Sequence, residues 1–187
     1  MGLAPTLRSA ARFCVGFIVA FVFLTAPALG QVSKEYQLKA VFLWRLAQFT
    51  QWPSNTFESS ESPIVICVVG ENPFGDALEE SVRGETAHGR SMAVRLYRII
   101  EQARSCHVVY IAGGAGPRRT KELSAVLAGR SVLTVRDADG LPSWYETIVT
   151  FITEENKIKL RINVQAAKAA RLVLDPRLLR AAEIVGD

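Results

Sequence analysis

The chain has 187 residues, enough for one domain of ordinary size, and at 49% hydrophobic it can bury a core without relying on disulfides. Its net charge is +4 with a pI near 9.1, and Arg8 and Arg12 supply two of those charges in a segment with no Asp or Glu. Without them 20 basic residues face 18 acidic ones, a net of +2, which argues against a nucleic-acid binder, since such a protein shows a strong basic stripe.

Residues 1–30 read as a cleaved secretory signal peptide. Arg8 and Arg12 precede the apolar run Phe13–Leu24, and Ala26-Pro27-Ala28-Leu29-Gly30 supplies a small-residue cut site before Gln31. The run is shorter than the roughly 20 residues of a membrane span. No cysteine directly follows that site, and no later stretch is long enough to span a bilayer. The expected mature protein, residues 31–187, is exported and soluble. It keeps Cys67 and Cys106, and in an oxidising compartment an even pair defaults to a disulfide. Two buried free thiols are the alternative, and the two cysteines sit near opposite ends of their predicted strands.

The longest helical pattern of the mature chain runs from Glu35 to Pro53. Tyr36, Ala40, Leu43 and Ala47 form one row, with Leu38, Val41, Phe42 and Phe49 on the flanks. Ser33 suits the N-cap, Glu35 suits the positive end of the helix dipole, and Trp52-Pro53 ends the helix. So wide an apolar arc must be covered by a sheet or a partner. Trp44 and Trp52 therefore suit either core packing or a binding surface.

Ser54–Ser62 is a polar loop. Pro63–Val69 is a continuous apolar run, as in a strand buried on both faces. A turn through Gly70–Gly75 leads into a short helix, Asp76–Val82, with Pro73 near its first turn. Arg83–Arg90 reads as a loop, Met92–Arg98 as a half-exposed strand, His107–Ile111 as a buried strand, Arg118–Leu127 as a helix and Ser131–Val135 as a third buried strand. After the loop Asp137–Tyr145, the segments Thr147–Thr153 and Lys157–Asn163 alternate around Glu154-Glu155-Asn156 and predict a hairpin. Gln165–Arg171 and Asp175–Val185 close the chain as helices, the second with Asp175 as N-cap and Pro176 at N1. The order predicts an α/β fold: a single compact layered domain with a mixed sheet, helices on both faces and a C-terminal antiparallel hairpin.

Chemistry is sparse. Cys106-His107 has no further ligand at metal spacing, so neither a metal nor a cofactor is expected. Gly113–Pro117 lies between a strand and a helix but lacks the ending of a phosphate loop. There is no nucleophile elbow, and no nucleophile stands beside a base. The sequence nominates no active site.

Four stretches taken together resemble a known family: Tyr36–Phe42 continuing to Phe49–Pro53, Ile66–Gly75, Gly89-Arg90, and Ile158–Ala167 continuing to Leu178-Leu179. In order and spacing they are similar to the YfiR family of periplasmic proteins. The resemblance implies a compact α/β sandwich that represses an inner-membrane diguanylate cyclase by contacting its periplasmic sensor domain, lowering cyclic di-GMP synthesis and biofilm formation. It implies a possible homodimer and a cysteine pair at Cys67 and Cys106. The chain departs from the family in lacking a second cysteine pair in its C-terminal third, and in reading Trp144-Tyr145-Glu146-Thr147 where a double glycine is common.

Exposed aromatics dominate binding hot spots, so Trp144 and Tyr145, in a polar loop, are the first candidates for partner contact, followed by Trp44 and Trp52. A small-ligand sensor is the competing class. It would use a crevice at the carboxyl ends of the strands, near Gly70–Asn72 and Gly113-Gly114, with Asn72, Arg118 and Arg119 as its polar lining.

Overall fold

The computed structural model of the protein describes residues 32–113, 116–138, 147–155 and 157–186; of residues 116, 117, 119 and 120 it describes the backbone only. The expected signal peptide, the Trp144-Tyr145 loop and Gly114 lie outside these residues.

The first helix, α1 (Lys34–Gln48), starts where its local chemistry dictates. The Ser33 hydroxyl accepts the Tyr36 N–H, and Glu35 occupies the first turn. Ala40, Leu43 and Ala47 of the expected row are fully buried, whereas Leu38 is 47% exposed. The helix stops at Gln48, short of the expected Trp52. Thr50–Gln51 (β1) instead pairs antiparallel with Val173–Leu174 (β9), and the Asp175 N–H donates to the Phe49 carbonyl at 2.8 Å. Pairing with a distant segment has overridden local helical pattern here.

The remaining strands form one eight-stranded sheet. They are β2 (Ile64–Val69), β3 (Thr86–Ala87), β4 (Arg90–Tyr97), β5 (Val108–Ile111), β6 (Leu133–Asp137), β7 (Val149–Glu154), β8 (Lys157–Asn163) and β10 (Glu183–Val185), in the order β10-β8-β7-β6-β5-β2-β4-β3. The run β4-β2-β5-β6-β7 is parallel, and β7 and β8 form the expected antiparallel hairpin. Alternation along the strands divides two cores. Ile64, Ile66, Val68, Val108, Tyr110, Leu133 and Val135 face α1 and α2 (Ala77–Val82). Cys67, Val69, Val109 and Ile111 face a 3-10 turn (Ile100–Ser105) and α3 (Gly116–Leu127), from which Leu123 and Leu127 enter the core. Helices on both faces of a mixed sheet match the expected layering.

Three boundaries depart from expectation. The expected Arg83–Arg90 loop contains β3, which turns into β4 through His88 and Gly89, both at positive φ (54° and 75°), as tight hairpins require. Helix α2 begins at Ala77, so Pro73 lies in the preceding turn rather than in the first helical turn. The expected last helix divides into α5 (Pro176–Arg180), capped by Asp175 as expected, and β10, which pairs parallel with β8. The open edge of β8 captures Ile184 and Val185, whose branched side chains suit a strand. A short helix, α4 (Val164–Ala169), connects β8 to β9.

Candidate functional site: a disulfide-edged groove with an aromatic wall

Cys67 and Cys106 are bonded, with 6.0 Å between their Cα atoms. This settles the alternative left open by strand position. Cys67 lies within β2 opposite Val109 of β5, three residues beyond Cys106. Cys106 is not in that strand. It ends the 3-10 turn that crosses the sheet face toward which Cys67 points, so the bond joins that turn to the sheet. Both cysteines are buried.

Beside the disulfide lies a groove of about 750 Å³, lined among others by Pro63, Val65, Cys106, His107 and Val132. These residues place it at the amino ends of β2, β5 and β6. Three arginines line it, Arg104, Arg130 and Arg171, with Glu58 as the acid among the lining residues. Arg130 donates to the Arg104 carbonyl at 3.2 Å and Arg171 to the Gly129 carbonyl at 2.7 Å, so two of the cations are held by backbone.

Aromatic rings form one wall. Phe57 stacks on His107 with centroids 4.5 Å apart and planes 12° from parallel. The Arg90 guanidinium sits 3.9 Å from the Phe57 centroid, and Trp52 meets Phe57, His88 and His107 edge-on. Arg90 also organises the loop that carries Phe57. Its Nη1 donates to the carbonyls of Ser59, Ser60 and Ser62 at 2.7, 2.8 and 2.8 Å. The Val65 N–H donates to His107 Nδ1 at 3.0 Å, which fixes the neutral ring with its proton on Nε2. Burial, and then the Arg90 charge, hold the His107 pKa below its ordinary 6.5, against an opposing hydrogen bond to the Thr56 backbone. The buried Trp52 Nε1 has no hydrogen-bond partner among the described residues.

A second polar cluster lies at the carboxyl end of β6. Lys39 of α1 is 2% exposed, and its Nζ lies 2.5 Å from Glu35 Oε1 and 2.9 Å from Asp137 Oδ1. The Tyr36 and Tyr110 hydroxyls donate to Asp137 Oδ2 at 2.9 and 2.8 Å, and Thr153 donates to Glu35 at 2.6 Å. This network ties α1 to β5, β6 and β7, and Phe74 packs edge-on against both tyrosine rings.

The residues nominated from sequence fall in different places. Trp44 is buried at 6% exposure, with Arg45 across its ring, and belongs to the core. Trp52 packs behind the aromatic wall, edge-on to Phe57 and His107, and lines a separate hollow with His88 and Arg90. Trp144 and Tyr145 lie outside the described residues. Asn72 is engaged by its own turn, donating to the Gly75 carbonyl and accepting the Phe74 N–H, both at 3.0 Å. Arg118 is exposed and pairs with Glu122 at 2.9 Å, and the Arg119 side chain lies outside the described residues. Neither Asn72 nor Arg118 lines the groove, which lies at the opposite end of the strands from the expected crevice. Phe57, Arg90 and His107 were not nominated. Gly89-Arg90 was part of the resemblance, but only the fold brings Arg90 against Phe57.

No cluster of three or more His, Cys, Asp or Glu able to hold a metal ion occurs among the described residues, and none of the described helices is long and apolar enough to cross a membrane. A layered α/β domain, clamped by one disulfide and presenting a basic groove with an aromatic wall, has the features of a binding protein. The chain belongs to the YfiR/HmsC-like family (DUF4154), whose model matches residues 36–183. Membership supports, at the level of the family, a periplasmic regulator of diguanylate cyclase signalling rather than an enzyme. No curated protein matches the chain.

Proposed function

We propose that the protein, exported after removal of residues 1–30, binds the periplasmic sensor domain of an inner-membrane diguanylate cyclase and represses it, lowering cyclic di-GMP synthesis. The observation that carries this reading is the family match across residues 36–183. A protein outside the cytoplasm reaches a cytoplasmic cyclase only through a membrane-spanning partner, and must bind one conformation of that partner better than another. Trp144, Tyr145 and Trp52 are the proposed contacts; Trp44 is set aside because it is buried.

The test is crosslinking in the periplasm before membrane solubilisation, followed by pull-down of the protein and of its Trp144→Ala, Tyr145→Ala and Trp52→Ala variants. Cyclic di-GMP is measured in parallel in cells with and without the gene. Capture of a cyclase that is weakened in the variants, together with higher cyclic di-GMP when the gene is absent, supports the proposal. Absence of any captured cyclase together with unchanged cyclic di-GMP defeats it.

The groove supports a second reading, a small-ligand sensor without a cyclase partner. Its arginines suit an anionic solute. In that case the pull-down is empty, and an anionic ligand raises the melting temperature by an amount that Arg171→Ala reduces.

A further inference from the structure

Strand β4 lies next to the end of the sheet, and its only outer neighbour among the described residues, β3, covers Arg90 and Ser91. From Met92 to Tyr97 it pairs with β2 on its inner side. The Gly70 N–H donates to the Tyr97 carbonyl, so Tyr97, Arg95 and Ala93 direct their backbone groups inward while Met92, Val94 and Leu96 direct theirs outward. The Val94 carbonyl confirms this parity. It accepts a hydrogen bond from the Arg95 guanidinium at 3.2 Å, a side chain standing where a neighbouring strand would donate. The stretch Ser91–Tyr97 contains no proline, glycine or acidic residue. Shortness, proline, bulges and covering segments are the usual devices that close an edge, and what this edge keeps is one cation.

We infer that the outer edge of β4 is a docking site for an extended segment that alternates acidic and apolar residues, held by strand addition. The side chains along the edge dictate that chemistry. Even-numbered residues lie on the α1/α2 face, ending in Leu96, which is 53% exposed. Odd-numbered residues lie on the α3 face, where Arg95 is exposed and has no carboxylate partner among the described residues. An added strand therefore places apolar side chains beside Val94 and Leu96 on one face and a carboxylate beside Arg95 on the other, while its backbone bonds the outward groups of Val94 and Leu96. Glu79 and Glu85 outnumber Arg83 in the hollow beside Ser91 and Met92, and this excess negative charge disfavours an acidic segment that runs past that end. Self-pairing of two copies is disfavoured, because antiparallel β4 strands bring two Arg95 side chains close together. Residues 1–31 contain no Asp or Glu and lack the required charge. The occupant is a segment of another protein, and the inference does not depend on whether that protein is a cyclase.

The test uses the purified protein and a short fluorescent acetylated peptide alternating glutamate and valine, against one alternating lysine and valine. The acidic peptide is expected to bind, to slow amide hydrogen exchange at Val94 and Leu96, and to bind roughly tenfold more weakly to Arg95→Glu, whose fold is checked by circular dichroism. That variant is expected to prefer the lysine peptide. Equal binding of the acidic peptide to both proteins, or unchanged exchange at Val94 and Leu96 at saturation, overturns the inference. So does concentration-dependent dimerisation that protects these amides without peptide, because it assigns the edge to a second copy.

Discussion

Lys39 of α1 and Asp137 of β6 meet where the helix covers the sheet, with 2.9 Å between Nζ and Oδ1, although the lysine is 2% exposed and comes from a helix rich in apolar residues. A buried charge is tolerated only when paired and hydrogen-bonded, and here Glu35, Tyr36 and Tyr110 complete the pairing. Removing one partner strands the other. Lys39→Met and Asp137→Asn are each expected to lower unfolding free energy by about 3 kcal/mol, and the double variant by less than the sum. Urea denaturation of the three variants measures the coupling.

The same network sets a pH dependence at both extremes. Hydrogen bonds from Lys39 and then Thr153 hold the Glu35 carboxyl below its ordinary 4.5. The unfolded chain takes up this proton first, so the contribution is complete above about pH 4.5 and is lost as pH falls through the lower folded value. Burial, and then the Asp137 charge, push Tyr36 up to about 12 from 10. Its contribution is complete below pH 10 and is lost as pH rises toward 12. The melting temperature is expected to fall at both ends, with a shallower acid limb in Glu35→Gln and a shallower alkaline limb in Tyr36→Phe.

His107 adds a third titration. Its folded pKa lies below 6.5, so the neutral ring's contribution is complete above that value and is lost as pH falls through the folded pKa. Protonation puts an N–H where Nδ1 accepts from Val65, and places a second cation near Arg90. His107→Phe is expected to cost about 1 kcal/mol near neutral pH for the lost acceptor. It also flattens the loss of stability just below pH 6.5. Proton NMR of the His107 ring gives the pKa directly, and a value at or above 6.5 contradicts the account.

What was legible in the sequence was what local chemistry decides. Ser33 and Asp175 cap the helices they were expected to cap, because a cap needs only the next few residues. The β7–β8 hairpin follows from alternation on either side of a short turn. The end of α1 was not legible, because its partner Val173–Leu174 lies far along the chain. Lys39 left one trace, its i,i+4 spacing from Glu35, and nothing marked Asp137 as its other partner. The groove was hidden for the same reason. Phe57, Arg90, His107 and Arg171 sit on separate elements, and only the topology gathers them.

The disulfide is expected to stabilise chiefly by shortening the unfolded chain's reach. A separation of 39 residues corresponds to about 4 kcal/mol in the chain-entropy model. Cys67→Ala with Cys106→Ala should lose much of that, and dithiothreitol should lower the melting temperature of the parent but not of the double variant. A reductant effect that persists in the variant points away from this bond.

Arg90 fixes the wall of the groove in two ways at once, by three hydrogen bonds to Ser59, Ser60 and Ser62 and by its stack on Phe57. Hydrogen bonds made by a charged donor are worth about 1.5–3 kcal/mol when the group is buried, and less where, as here, the loop is partly exposed. Arg90→Ala is therefore expected to cost about 1–2 kcal/mol of global stability, with a larger local effect. Hydrogen exchange across the Ser54–Ser62 loop should accelerate, and a protease should cut there first. Arg90→Lys should restore the loop only in part, because an ammonium can donate to the three carbonyls that Nη1 alone meets but cannot lay a flat guanidinium on the Phe57 ring. If Lys restores native exchange, charge alone holds the loop and the planar stack contributes nothing. If Lys behaves as Ala, the guanidinium's shape is the element that closes this side of the groove.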